Sequence, residues 1–256
     1  MKLSNQYPSL AGKVVLISGG ATGIGASLVE AFCRQQAQVA IVDIINDEGH
    51  ALVAALDGQE GCSTPSFYPC DIRDVEAYQA VVAQIKQQLG PVAVLVNNAA
   101  SDFRHSFTEM TPEYWDDRIA VNLRHAFFAI QAVFPHMQSL GGGSVINFGS
   151  MSWYECQGGM PGYTTSKAGM EGMTRGMARD LGKHNIRINT LVPGWVMTER
   201  QLRDWVDAST KDEIEQSQCL KDSLMPEDIS AMALFLASDD SKMCTAQNFI
   251  VDGGWI

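Results

Sequence analysis

The chain has 256 residues, 46% of them hydrophobic, and a formal net charge of −11. That size and apolar content supply one large core, and the acidic balance argues against nucleic acid and anionic membrane as partners. No apolar run reaches a membrane span, and the start, Met1-Lys-Leu-Ser-Asn-Gln-Tyr-Pro8, carries no secretory segment, so a cytoplasmic protein is expected.

Lys13 to Ser18 is a short β-branched run of the kind that forms a buried parallel strand. A turn follows at once, Gly19-Gly-Ala-Thr22-Gly23-Ile24-Gly25, and then residues 26–36 place Leu28, Val29, Phe32 and Cys33 at helical spacing. Gln38 to Asp43 reads as a second strand, ending in an acid. Strand, glycine turn, helix and strand within one βαβ length form the context in which a glycine motif signifies a dinucleotide site. The glycines let the backbone turn tightly and approach a pyrophosphate, whose charge meets the helix N-terminus. The spacing is Gly-x-x-x-Gly-x-Gly, not Gly-x-Gly-x-x-Gly. A carboxylate at Asp43 accepts hydrogen bonds from both adenosine ribose hydroxyls and repels a 2′-phosphate. No Arg or Lys lies between Gly19 and Gly25 or at residues 44–46. NAD is therefore expected in preference to NADP.

Further along, Ser66 to Cys70 reads as a third strand, Val75 to Leu89 as an amphipathic helix and Val92 to Val96 as a fourth strand. Thr111-Pro112-Glu113 starts a helix with a capping hydroxyl, a proline in the first turn and an acid at the positive end. That helix runs toward Pro135. Strand Ser144 to Phe148 follows a Gly141-Gly-Gly143 turn; a helix carrying Tyr163 runs to about Gly182; Ile186 to Val192 is the sixth strand. Met197 to Met225 is polar and weakly helical, and reads as a mobile lid. Pro226 opens a helix through Ala237, and Gln247 to Val251 is the last strand. The alternation predicts a doubly wound parallel α/β sheet covered on both faces, one domain over residues 1–256 with a lid near 197–225.

Tyr163 and Lys167 stand four residues apart, sharing a face if helical, with Ser150 thirteen residues before the tyrosine. A lysine ammonium beside a phenol is expected to lower its pKa, fitting it to exchange a proton with an alcohol. Six cysteines (33, 62, 70, 156, 219 and 244) form no Cys-x-x-Cys pair and no zinc-type spacing with the five histidines. Reduced thiols are expected.

The set Ser18-Gly19-x-x-x-Gly23-x-Gly25, Asp71, Asn97-Asn98-Ala99-Ala100, Asn122, Ser150, Tyr163-x-x-x-Lys167, Pro193-Gly194 and Thr198 resembles the short-chain dehydrogenase/reductase family in order and spacing across nearly the whole chain. Two departures occur: Ser18 stands where the family has Thr, and Ala100 where it has Gly. The resemblance implies a Rossmann-like sheet of about seven strands in order 3-2-1-4-5-6-7 and a homotetramer. It implies Tyr163 as acid/base, Lys167 on the nicotinamide ribose, Ser150 on the reacting oxygen and Asn122 positioning a water beside Lys167. It places Ser18, Gly19, Thr22, Gly23, Ile24, Gly25, Asp43, Asp71, Ile72, Asn98, Ala99, Pro193, Gly194, Val196 and Thr198 along the cofactor. No metal is called for, because such chemistry rests on the cofactor and a proton donor.

Residues 97–105 and 110–125 are similar to bacterial pentose 1-dehydrogenases, which implies oxidation of an aldose (pentose or 6-deoxyhexose) C1 hydroxyl to a lactone. Trp153, Tyr154 and Trp195 could pack on sugar C–H faces, with Arg104, His105, Glu155 and Gln157 adding hydrogen bonds. Core packing is the alternative for the aromatics, a solvated charge for Arg104. Arg104, Arg200 and Arg203 also raise a sugar-acid substrate of the 2-keto-3-deoxy type. A 3-oxoacyl reductase ranks below both, since Asp43 disfavours NADP. An NAD-binding regulator without turnover would be expected to have lost the Tyr, Lys and Ser set.

Overall fold

The structure, a computed structural model, describes residues 5–256. Residues 1–4 of the start read above for a secretory segment lie outside it. Seven parallel strands form one sheet: β1 (Val14–Ser18), β2 (Gln38–Asp43), β3 (Ser66–Pro69), β4 (Val92–Asn97), β5 (Gly143–Phe148), β6 (Ile186–Pro193) and β7 (Asn248–Val251), in the order β3-β2-β1-β4-β5-β6-β7. The β-branched runs account for the central strands, which are buried on both faces. Successive residues of β1 divide between two cores. Val15 and Ile17 meet Val29, Phe32, Ile229 and Leu234 on one side, while Leu16 meets Ile85, Leu95, Val133 and Leu181 on the other. Burying each such side chain contributes about 1.5–3 kcal/mol.

The first core is roofed by α1 (Gly23–Arg34), α2 (Asn46–Leu56) and α9 (Pro226–Ala237), the second by α3 (Val75–Gln88), α5 (His125–Ser139) and α6 (Pro161–Gly182). The helix expected to run toward Pro135 is not uniform. Its first part, α4 (Pro112–Ile119), is capped by Thr111, whose Oγ1 accepts the Tyr114 N–H at 3.2 Å. A π-helical turn, Ala120–Arg124, then precedes α5, which continues through Pro135 to Ser139. Residues 197–225, read as weakly helical, contain two short helices, α7 (Glu199–Asp204) and α8 (Ala208–Ser217). Among the described residues no helix is long and apolar enough to cross a membrane.

Strand order reverses at β1/β4, so their following loops part and leave a crevice at the carboxyl edge. Register aligns that edge: Ser18 pairs with Asn97, Asn97 with Asn147, and Phe148 with Leu191. The glycine turn, Asn98, Ser150 and Gly194 thus emerge side by side.

Candidate active site

The glycine turn is shaped by close approach. Gly19 and Gly23 have φ of +68° and +56°, and a Cβ on Gly25 would lie 1.9 Å from the Gly19 carbonyl oxygen. Asn98 Nδ2 donates to the carbonyls of Ser18 (3.1 Å) and Gly19 (2.8 Å), so its amide holds the turn. Ser18 is fully buried; its Oγ accepts the Ala99 N–H at 3.3 Å and ties β1 to the loop after β4. Thr22 is the exposed N-cap of α1 and makes no side-chain cap bond. Ile24 instead packs on the core. Asp43 is buried at the end of β2 and accepts the N–H groups of Ala21 (3.0 Å) and Ile45 (3.1 Å). The acid is therefore fixed against the glycine turn, with exposed Ile44 and Ile45 beyond it.

Asp71, expected along the cofactor, is held in an ion pair. Both of its oxygens are taken by Arg73, at 2.6–3.0 Å, and the Ile72 side chain is buried in the core. The Asp71 carboxylate is nevertheless 40% exposed and keeps lone pairs open to a ligand, whereas Ile72 can offer only its backbone. Val196 and Pro193 are likewise buried through their side chains. Gly194 abuts Asp252, whose Cα would lie 2.6 Å from an added Cβ. Thr198 caps α7, accepting the Gln201 N–H at 3.2 Å, and its methyl faces Gly23 across the crevice.

Ser150 caps a short 3₁₀ turn, Met151–Trp153; its Oγ accepts the Ser152 N–H at 3.2 Å. Across from it, α6 presents Tyr163 and Lys167 on one face, with the ammonium 5.4 Å from the centre of the phenol ring. Lys167 is 2% exposed, and its Nζ donates to the Phe148 carbonyl at 2.8 Å. Burial lowers the Lys167 pKa to about 8, with the charge of Asp102 opposing. The expected depression of the phenol is not the net effect in the protein alone. Burial pushes Tyr163 up to about 12; a Ser150 hydrogen bond opposes this, Asp102 reinforces it, and Arg104 and Arg200 offset it. The physical reason is that the ammonium bonds a carbonyl, not the phenol oxygen, while desolvation acts on the phenolate directly.

Asn122 sits in the π-helical turn, fully buried. Its Oδ1 accepts the Ser101 N–H at 2.7 Å and its Nδ2 donates to the Ser101 carbonyl at 3.1 Å. The side chain is spent on that loop, so any water beside Lys167 would be held by backbone freed in the turn.

A family model described as enoyl-(acyl carrier protein) reductase matches residues 19–256. The D-xylose 1-dehydrogenase of Caulobacter vibrioides is 48% identical over 97% of this chain and 98% of its own length. The chain belongs to the short-chain dehydrogenase/reductase family. It is accordingly an oxidoreductase acting on a CH–OH group. A Rhizobium meliloti protein named as a probable galactose dehydrogenase is 47% identical, covering 98% of each chain. A solved 7α-hydroxysteroid dehydrogenase, complexed with NADH and 7-oxo-glycochenodeoxycholic acid, has a TM-score of 0.91 at 29% identity over 99% of this chain and 98% of that one. The short-chain dehydrogenase/reductase sheet order expected above, 3-2-1-4-5-6-7, is the one observed.

The rim of this dehydrogenase site differs from the sequence reading. Trp153 and Tyr154 have their polar tips turned to Glu171, at 3.0 and 2.7 Å, so those tips are engaged within the protein. Trp195 stacks on Trp255 with ring centres 6.3 Å apart. Arg104 lies over the Trp205 ring at 5.1 Å, with Nη1 2.9 Å from the Met160 sulfur, a weak acceptor. His105 Nε2 accepts the Gly162 N–H at 3.2 Å, bracing the start of α6. Two residues were missed. Asp102 accepts from Arg200 at 2.6 Å and from Gln201 at 3.4 Å, joining the loop after β4 to α7. Arg118 donates to Ser101 Oγ at 2.8 Å and supports the same loop. Both lie in the stretches 97–105 and 110–125 whose resemblance was noted, but nothing in those stretches singled out either side chain.

Proposed function

We propose that this protein is an NAD-dependent sugar dehydrogenase that oxidises the C1 hydroxyl of an aldose, a pentose or 6-deoxyhexose, to the lactone. The observation that carries this reading is the 48% identity to a D-xylose 1-dehydrogenase over 97% of the chain, a span that includes the whole candidate site. Bound NAD supplies the hydride acceptor; its pyrophosphate would lie on the glycine turn and its adenosine ribose on Asp43. The fit rests on Gly19 and Gly25, where a Cβ would meet backbone, and on the carboxylate anchored beside them. The exposed Ile44 and Ile45 offer a 2′-phosphate no cation, which favours NAD over NADP.

In the proposed reaction the Tyr163 phenolate accepts the proton of the C1 hydroxyl, and Ser150 Oγ donates a hydrogen bond to the same oxygen. Lys167, anchored on Phe148, holds its ammonium against the phenol ring and the ribose position. The phenol is supplied as base only as pH rises, so oxidation should accelerate with pH.

The arginines bear on the rival sugar-acid reading. Arg200 is paired with Asp102 and Arg203 with Asp204. Arg104 alone lacks a carboxylate partner, so one guanidinium, not three, could meet a substrate carboxylate. That supports a neutral sugar. The test is purified protein with NAD or NADP and a panel of aldoses, sugar acids and oxoesters, followed by nicotinamide absorbance. Turnover of aldoses with NAD is expected; turnover confined to carboxylated sugars would replace this reading with the rival. In the same assay Asp43→Ser should lower the NAD/NADP ratio of kcat/KM by about tenfold or more, the loss of one charge-assisted contact.

A further inference from the structure

Glu171 is 7% exposed, and no Lys, Arg or His pairs with it among the described residues. A buried carboxylate without a cation is costly unless donors surround it. Three do. Trp153 Nε1 donates to Oε1 at 3.0 Å, the Tyr154 hydroxyl donates to Oε2 at 2.7 Å, and Asn248 Nδ2 of β7 donates to Oε2 as well. The two rings lie 3.8 Å apart between their centres. The carboxylate also lies against the strand end: a Cβ on Gly149 would be 3.6 Å from Glu171 Oε1. Gly149 immediately precedes Ser150, and Trp153 and Tyr154 close the turn that Ser150 caps.

Residues 163, 167 and 171 fall at i, i+4 and i+8 of α6, one stripe of one helix. The stripe that carries the phenol and the ammonium thus also carries the clamp on the segment bearing the third member of the set. We propose that Glu171 is a positioning residue of the reaction, which locks the Trp153–Tyr154 turn onto α6 and so fixes Ser150 Oγ relative to the Tyr163 phenol. This rests on the dehydrogenase reading above and goes beyond it: the two aromatics serve the placement of Ser150, not the sugar face.

A double-mutant cycle tests it. Glu171→Gln, Ser150→Ala and the double variant are assayed at saturating NAD with an aldose that the wild type oxidises, alongside NAD affinity by fluorescence. Glu171→Gln should lower kcat on the order of 10- to 100-fold, the penalty of misplacing a catalytic group by about 1 Å, with NAD affinity kept. On the Ser150→Ala background the same substitution should change kcat by less than about threefold, since the group it positions is gone. Equal losses on both backgrounds, or loss of NAD affinity, would overturn the proposal. Should Glu171→Gln fail to fold, Trp153→Phe removes one donor only and enters the same cycle, with the same two outcomes. A wild type that oxidises another alcohol but no aldose sinks the substrate reading alone, and the cycle is then read on that alcohol.

Discussion

At Tyr163 two opposing effects set the chemistry. Desolvation raises the phenol to about 12, and the Ser150 hydrogen bond pulls it back. A base with a raised pKa is scarce in its active form at neutral pH, so kcat/KM for oxidation should climb with pH up to about tenfold per unit through pH 6–9, while reduction, which uses the protonated phenol, should vary little over the same range. A flat profile for oxidation would contradict this role. Tyr163→Phe should lose kcat by about 10²–10⁴-fold, the usual worth of a positioned acid/base, while NAD affinity by fluorescence holds.

His125, on the turn beyond Asn122, adds a stability term. It is 1% exposed, and burial together with the nearby Lys167 charge holds its pKa down at about 3. Below about pH 6.5 the unfolded chain binds a proton that the folded one refuses, so stability falls with pH across about 6.5 to 3, by up to about 1.4 kcal/mol per unit. Urea midpoints should therefore drop faster between pH 6 and 4 for wild type than for His125→Asn. Parallel curves would show that the imidazole is not held neutral.

Elements differ in how far they could be read ahead. The apolar runs of β1, β2, β4 and β6 are buried on both faces, and their shortness, β-branched residues and flanking turn residues announce such strands within a residue or two. The glycine turn was equally legible, because only close backbone approach demands glycine at 19 and 25. The π-helical turn at Ala120–Arg124 was not, since no residue type marks a π turn off from the α-helical turns on either side of it. Nor was the direction of Trp153 and Tyr154, which is set by Glu171 and Asn248, remote in the chain and identifiable only once α6 and β7 are in place. The pairing of Asp102 with Arg200 belongs to the same class, joining residues 98 apart in sequence.

That pairing makes a prediction about α7. Arg200 on α7 is 40% exposed and Asp102 20%, so the ion pair is worth about 1 kcal/mol at most in stability. Its effect should appear in substrate affinity, because it holds α7 against the loop whose backbone Asn122 grips. Arg200→Ala should raise the aldose KM up to about fivefold at unchanged NAD affinity, and the difference should shrink at high salt. A changed NAD affinity with constant KM would assign α7 to the cofactor instead.

The whole molecule leaves apolar surface uncovered at the edge of its sheet and on α5. β7 is the last strand of the sheet and has β6 on one side only. An edge strand with its hydrogen-bonding groups free invites pairing or covering. On it Ile250 is 42% exposed, just beyond it Ile256 is 43% exposed, and on α5 Phe127 is 42% exposed. These residues lie on different elements, the sheet edge and the α5 roof of the second core, and we propose that each is covered by its own two-fold contact between copies. Two distinct two-fold contacts generate a four-chain assembly, as the family resemblance implies. Light scattering should therefore give a mass four times that of one chain. Ile250→Glu should break the contact at the sheet edge and leave a dimer joined through α5, whereas Phe127→Glu should leave the dimer joined at β7. Single-chain mass for the wild type, or an intact four-chain assembly in both variants, would show that these surfaces are not where the copies meet.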